Sequence, residues 1–427
     1  MTHVGENIKR IRTAKNMTIS DVANEHVSRG MISLIENGKT QPSIERLQHI
    51  ARQLNVDISE LVEEVPREKM KSILKQALGL WQQPEIQPTI EAAALLKPIL
   101  EKNPTGYEAA RMYELYARIL YHLYVVAIDQ YKDIEENDWE PFIGEAINLY
   151  RDLQMDWRVI ECQGFLSEIQ FDMADYYGTV EIIDQALEEL TVMDSLETKS
   201  MYIQLLGTKT FALESLGRYE EAHKQLDEAI HFAREQLVMD QYYNLLNARA
   251  FLYYDSQQPE KAQEYVEECS LFVKLIKHEG LSFDYELNQV FREEFYKKDY
   301  LKALAIAEKL IGKIEASEAY PKEVKAEFNT LPKSLLARVL TRLERYEEAL
   351  LLFEDNPIVL PERIQLNPID VALRVLSNSY EALCHYHLGN PKKAEELARS
   401  TVERMHNMPH SSIYHFAREV LAEVAAK

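Results

Sequence analysis

Cysteine is nearly absent from this sequence: Cys162, Cys269 and Cys384 are the only three in 427 residues. They lie far apart and form no CxxC. No disulfide framework is expected, a reducing cytoplasm fits, and all three read as buried packing thiols. No run of 18 or more apolar residues occurs, which excludes a membrane-spanning helix. The first residues, MTHVGENIKRIR, lack the apolar core of a signal peptide. Glycine is scarce, at 13 residues, and there is no Gly-rich phosphate loop, nucleophile elbow or HExxH. His385 and His387 sit two apart and point in different directions on a helix; Pro409 breaks the helix between His406 and His410. No metal, no cofactor and no catalytic constellation is expected, so the chain reads as something other than an enzyme. Basic charge is also short, with 48 Lys/Arg against 70 Asp/Glu, a net −22. Such a chain repels a duplex in general, which excludes a non-specific nucleic-acid coat.

The deficit is unevenly shared. Residues 1–65 carry 8 basic and 9 acidic side chains, a net −1, which leaves −21 to the remainder. Within this near-neutral block, Met17 to Pro42 predicts a short helix over Ile19–Glu25, a tight turn at His26 and Val27, and a second helix from Ser28 to about Glu36. Ser28 is a good N-cap, because its hydroxyl accepts from free N–H groups of the next turn. Val22, Ile32 and Ile35 form the buried seam, and Asn37-Gly38 ends the second helix by tolerating a left-handed conformation. Two short helices and a tight turn make a helix-turn-helix, whose second helix enters the DNA major groove.

The whole of 1–65 resembles the phage-repressor (Cro/C1, XRE) DNA-binding domain, with five helices. The matching residues are Gly5, Ile8, Arg12, Thr18, Ala23, Ser28, Ile32, Ser33, Ile35, Glu36, Asn37, Gly38, Pro42, Ser43, Leu47, Ala51, Leu54 and Leu61. Two departures stand out: Ile19 replaces the usual phosphate-binding Gln, and the turn is one residue short and lacks its Gly. On this reading Arg29 and Ser33 read bases from the first turns of the recognition helix, and Met31 touches a thymine methyl. Ser28, Asn37, Lys39 and Thr40 complete the interface, the last three holding phosphates. One such domain offers few contacts, so a homodimer on an inverted-repeat, double-stranded operator is expected.

Pro66 ends this domain. Residues 66–88 read as a linker with a first helix, Arg67–Gln83, broken by Pro84 and Pro88. From 89 to 427 the patterning is helical throughout. LGRYEEA, ending at Ala222, resembles the turn between the two helices of a tetratricopeptide repeat. Similar turns end at Ala262, Ala303, Ala349 and Ala394, stepping by 40, 41, 46 and 45 residues; weaker copies end at Ala146 and near Val180. The usual period is about 34, so these repeats are long. The expected fold is all-α: the five-helix domain, then about eight helix pairs in a right-handed superhelix, capped by a helix over Ser411–Ala426.

Taking each anchoring Ala as position 20 of its repeat, positions 2, 5, 9 and 12 face the concave side. They give Asn244, Asn247, Phe251 and Tyr254 in one repeat, and Tyr285, Asn288 and Arg292 in the next. Arg338 and Tyr386 follow from later anchors. An extended peptide bares N–H and C=O groups, and an Asn amide supplies a donor and an acceptor, so asparagines at one repeat position can clamp a backbone. The aromatics add apolar contact, and Arg292 or Arg338 can pair a carboxylate.

The two halves together resemble the peptide-pheromone receptors of Gram-positive bacteria (the Rap, Rgg, NprR, PlcR and PrgX group), NprR-like members being nearest in size. The resemblance implies a cytoplasmic transcription regulator used in quorum sensing, dimeric through its repeats and controlled by a short imported signalling peptide. In some relatives the repeats also bind a phosphorelay protein. An adaptor whose groove takes a protein partner is therefore the alternative.

Overall fold

In a computed structural model the chain is helical and forms two compact units, 1–162 and 163–427. The structure describes residues 3–62, 65–83, 85–126, 138–317, 322–357 and 370–426, and among these there is no strand. Pro84, read above as a helix breaker, lies outside them.

The first unit opens with five short helices: α1 (His3–Ala14), α2 (Ile19–Val22), α3 (Arg29–Glu36), α4 (Ile44–Leu54) and α5 (Ile58–Val62). Ile8, Ile11, Val22, Ile32, Ile35, Leu47, Ile50, Leu54 and Leu61 form their common core. Local side chains set the helix starts. Thr18 and Asp21 make a reciprocal capping box on α2, and Ser28 and Ser43 cap α3 and α4. α2 ends at Val22, short of the expected Glu25, because the Asn24 side chain accepts from the His26 and Val27 N–H groups, both at 2.9 Å. That local bond competes with helix continuation. The expected left-handed pair is a single residue: Gly38 has φ +68°, whereas Asn37 has φ −93°.

Two matched residues have a direct structural reason. A Cβ on Gly5 would sit 1.9 Å from the Ile35 carbonyl oxygen, so α1 packs on α3 only without a side chain there. Arg12 pairs Glu36 through two bonds of 2.7 and 2.9 Å and donates to the Met17 carbonyl at 2.8 Å. This fork ties α1 to the end of α3.

The unit continues through α6 (Arg67–Trp81), α7 (Ile86–Leu100), α8 (Tyr107–Val126) and α9 (Glu140–Asp152), with α10 (Asp156–Asp172) leading out of it. Contrary to the expectation above, Pro88 does not break a helix. It sits in the first turn of α7, where its missing N–H has no intrahelical partner to lose.

The second unit is built from α11 (Tyr176–Glu189), α12 (Leu196–Ser215), α13 (Tyr219–Gln236), α14 (Tyr242–Asp255), α15 (Pro259–Ile276), α16 (Glu279–Phe291), α17 (Tyr300–Ala316), α18 (Lys322–Arg342) and α19 (Tyr346–Asp355). It ends with α20 (Ser377–His387), α21 (Pro391–Arg404) and α22 (Ser412–Ala425). Each helix packs on the next in sequence, as a stack of pairs requires. The anchors Ala222, Ala262, Ala303, Ala349 and Ala394 are fully buried, which lets paired helices approach closely.

The turns of this unit share one conformation. The residue two before the second helix is left-handed in six of them: Ala174, Gly217, Gln257, Lys298, Glu344 and Gly389. Only two are glycine, so the motif is held by packing as much as by glycine's freedom. Two helices contain a π-turn, Arg292–Tyr296 after α16 and Val371–Val375 before α20. A π-turn inserts one residue into the helical count. The cysteines are free and buried, and burial pushes their thiols up, that of Cys384 to about 11.

Candidate DNA interface and repeat concavity

In the first unit, α3 presents Arg29, Gly30, Leu34 and Asn37 to solvent, while Ile32 and Ile35 face the core. Arg29, at the first position of α3, is exposed and forms no ion pair among the described residues. Its guanidinium can therefore reach a base edge without first breaking an internal contact. Ser28 spends its hydroxyl on the Met31 N–H, at 3.4 Å. Asn37 donates its side-chain amide to the Ser33 carbonyl at 2.7 Å, closing its own helix. Met31 packs partly against the core and Ser33 is half-buried; Lys39 is exposed and Thr40 half-buried. Leu34 was missed by sequence reasoning. It is 43% exposed, one turn on from the exposed Gly30, a position suited to a thymine methyl. The signal was its place outside the Ile32–Ile35 seam. Ile19, standing where the resembled family has Gln, packs partly on the core.

In the second unit, a concavity of about 410 Å³ is lined by Gln204, Gly207, Thr208 and Phe211 of α12, Gln241, Asn244 and Asn247 around α14, and Asp284 of α16. Asn244 is exposed, and its side-chain amide faces Gln241 Oε1 at 3.1 Å. Asn247 is 6% exposed and accepts at Oδ1 from Arg292 Nη1 at 3.1 Å. The α12 residues were also missed, although the same count from Ala222 finds them: positions 2, 5 and 9 are Gln204, Gly207 and Phe211. Gly207 leaves the wall open, with nothing within 4 Å of where a Cβ would stand.

The remaining groove residues are placed differently. Phe251 and Tyr254 are buried, with ring centroids 5.6 Å from Phe291 and 4.6 Å from Tyr296. Asn288 is buried and donates to the Asp284 carbonyl at 2.8 Å. Tyr285 lies under the Arg292 guanidinium, at 5.5 Å. The π-turn at Arg292–Tyr296 explains this shift, because the count back from Ala303 crosses an extra residue. Position 2 therefore falls on exposed Asp284 instead of Tyr285. Arg338 is a correction. It is fully buried, donating to Glu294 at 2.6 Å and to the Ala372 carbonyl at 2.7 Å, so its guanidinium is held inside the fold and presents no surface to a ligand carboxylate. Tyr386 packs against the small core formed with α21 and α22, away from the concavity.

Residues 8–61 match the Helix-turn-helix family (HTH_3). This stretch is a helix-turn-helix DNA-binding domain. No curated protein matches the chain. Among solved structures, PlcR of Bacillus thuringiensis in complex with the peptide PapR7 and DNA is similar at 18% identity, over 65% of this chain and 96% of that one, with a TM-score of 0.34. The pheromone receptor Rgg2 of Streptococcus dysgalactiae is 17% identical over 69% and 99%, with a TM-score of 0.33. A Rap protein complexed with Competence and Sporulation Factor is 12% identical over 84% and 98%, with a TM-score of 0.44.

Proposed function

We propose that this chain is a cytoplasmic, sequence-specific transcription regulator whose repeats receive a short signalling peptide. The observation that carries the reading is a pairing within one chain. A helix-turn-helix domain with an exposed Arg29 occurs in the same chain as a repeat concavity lined by Asn244 and Asn247 from one helix face. Asn244 and Asn247 are one turn apart, so both meet the same extended segment of a ligand. Backbone-directed amides suit a peptide of variable side chains. The net −21 outside residues 1–65 disfavours a strongly acidic one.

The near-neutral DNA-binding domain supplies little non-specific attraction, so affinity rests on base contacts and on doubling the number of domains. The chain acts as a homodimer on an inverted repeat. Selection of duplexes from a random-sequence pool by the full chain tests this. The expected outcome is enrichment of a two-fold symmetric site, with half-sites about 34 Å apart or a multiple of that. Enrichment of no sequence, or of a single half-site by a monomer, would overturn it.

A further inference from the structure

Asn247 lines the concavity, but behind it lies a cation. Arg292 is 1% exposed and forms no ion pair among the described residues. Its Nη1 donates to Asn247 Oδ1 at 3.1 Å, its Nη2 has no partner, and the Tyr285 ring sits 5.5 Å from its Cζ. An asparagine amide is ordinarily ambiguous, since its oxygen and nitrogen look alike. Here chemistry removes the ambiguity. A guanidinium has only donors and stays charged, so the atom facing it must be the amide oxygen. The Asn247 Nδ2 group is left without a partner among the described residues, on a side chain that borders the concavity.

We infer that Arg292 is a positioning residue: without touching the ligand, it fixes Asn247 as a hydrogen-bond donor, so that this point of the concavity takes a peptide carbonyl and not an N–H. This rests on the peptide reading above. Across the concavity Asp284 supplies the opposite polarity, because an ionised carboxylate can only accept. An extended backbone directs successive C=O and N–H groups to opposite sides. A strand lying between α14 and α16 thus meets a donor on one side and an acceptor on the other. The arrangement sets the register of the peptide, with a carbonyl opposite Asn247 and an N–H opposite Asp284.

The test uses the full chain and a pool of synthetic heptapeptides with randomised side chains. Retained peptides are identified by mass spectrometry after gel filtration, and the best is measured by calorimetry. Asn247→Asp is the discriminating variant. It keeps the shape and the acceptor facing Arg292, and gives that cation a carboxylate, so the melting temperature is expected to hold or rise. The donor is gone, so peptide affinity is expected to fall at least about tenfold. A purely structural role for the Asn247–Arg292 bond predicts retained binding instead.

Two further variants guard against misfolding. Arg292→Gln can accept as well as donate, which frees the Asn247 amide to turn; affinity should fall by roughly tenfold. Arg292→Lys keeps a pure donor and should stay within about threefold of the unaltered chain. Equal affinity for Asn247→Asp and the unaltered chain, or equal losses for the Gln and Lys variants, overturns the inference and leaves the peptide reading standing. Retention of no peptide by the unaltered chain overturns the peptide reading and this inference with it.

Discussion

Arg292 and Arg338 lie in one unit, at the same counted repeat position, and both are buried to within 1% of full coverage. Their surroundings differ. Arg338 meets a carboxylate: Glu294 at 2.6 Å, itself bonded by the Tyr380 hydroxyl and lying 3.8 Å from Arg342 Nε. Arg292 has no carboxylate partner among the described residues; it donates to the Asn247 amide oxygen and faces the Tyr285 ring. The first guanidinium is consumed by the fold, and the second holds a residue of the concavity in place. The partner each side chain meets, and not its counted place in the repeat, decides what it does.

The contrast is sharpest in stability. Arg338→Met leaves the buried Glu294 with only the Tyr380 hydroxyl and the more distant Arg342, and breaking one side of a buried pair costs about 3–5 kcal/mol. Urea denaturation should show a loss of that size. The matching change, Arg292→Met, strands no carboxylate, and its loss should be below about 1.5 kcal/mol. Similar losses for the two would erase the distinction drawn between them.

A second carboxylate cluster gives the pH counterpart. Glu214 and Asp255 are set against each other, with Tyr296 donating to Asp255 at 3.0 Å and the Ser412 hydroxyl also donating to it. Among the described residues no arginine answers them as Arg338 answers Glu294. Burial first, and the neighbouring Asp255 second, push the Glu214 carboxyl well above its ordinary value; burial also raises Asp255. The folded chain therefore holds a proton that the unfolded chain releases. Stability from the protonated pair is complete below the ordinary carboxylate range and is lost as pH rises through the elevated value. Glu214→Gln imitates the protonated form. Its urea midpoint should exceed that of the unaltered chain at pH 8, and the gap should close toward pH 4. A gap that widens on acidification contradicts the assignment.

Sequence carried the local part of this molecule well. The cap at Ser28 and the Val22–Ile32–Ile35 seam depend on near neighbours, and the anchoring alanines depend on one short motif. The concavity was legible in part. Asn244 and Asn247 line it, but the π-turn at Arg292–Tyr296 displaced the count in the next repeat, and no residue type announces such a turn. Arg338 was misread because its partner, Glu294, lies 44 residues away on another helix. The left-handed turns at Gln257, Lys298 and Glu344 carry no glycine signal either. What failed were features set by contacts distant in the chain.

Arg29 completes the series as an arginine with no internal partner. It is exposed at the start of α3, and its hydrogen-bonding capacity is uncommitted among the described residues. Its removal should leave stability within about 0.5 kcal/mol, the smallest change of the set, because a surface side chain away from caps and core contributes little. Ser28, and not Arg29, caps the helix, so α3 keeps its N-terminus in the variant. The consequence should appear only on DNA. With the operator obtained by selection, Arg29→Ala should lose about 1–3 kcal/mol of binding and accept other bases at one position of each half-site. A loss of affinity spread evenly over all sequences would instead make Arg29 a phosphate contact and move base reading to Ser33 and Leu34. A melting temperature well below that of the unaltered chain would show that Arg29, like Arg338, already belongs to the fold.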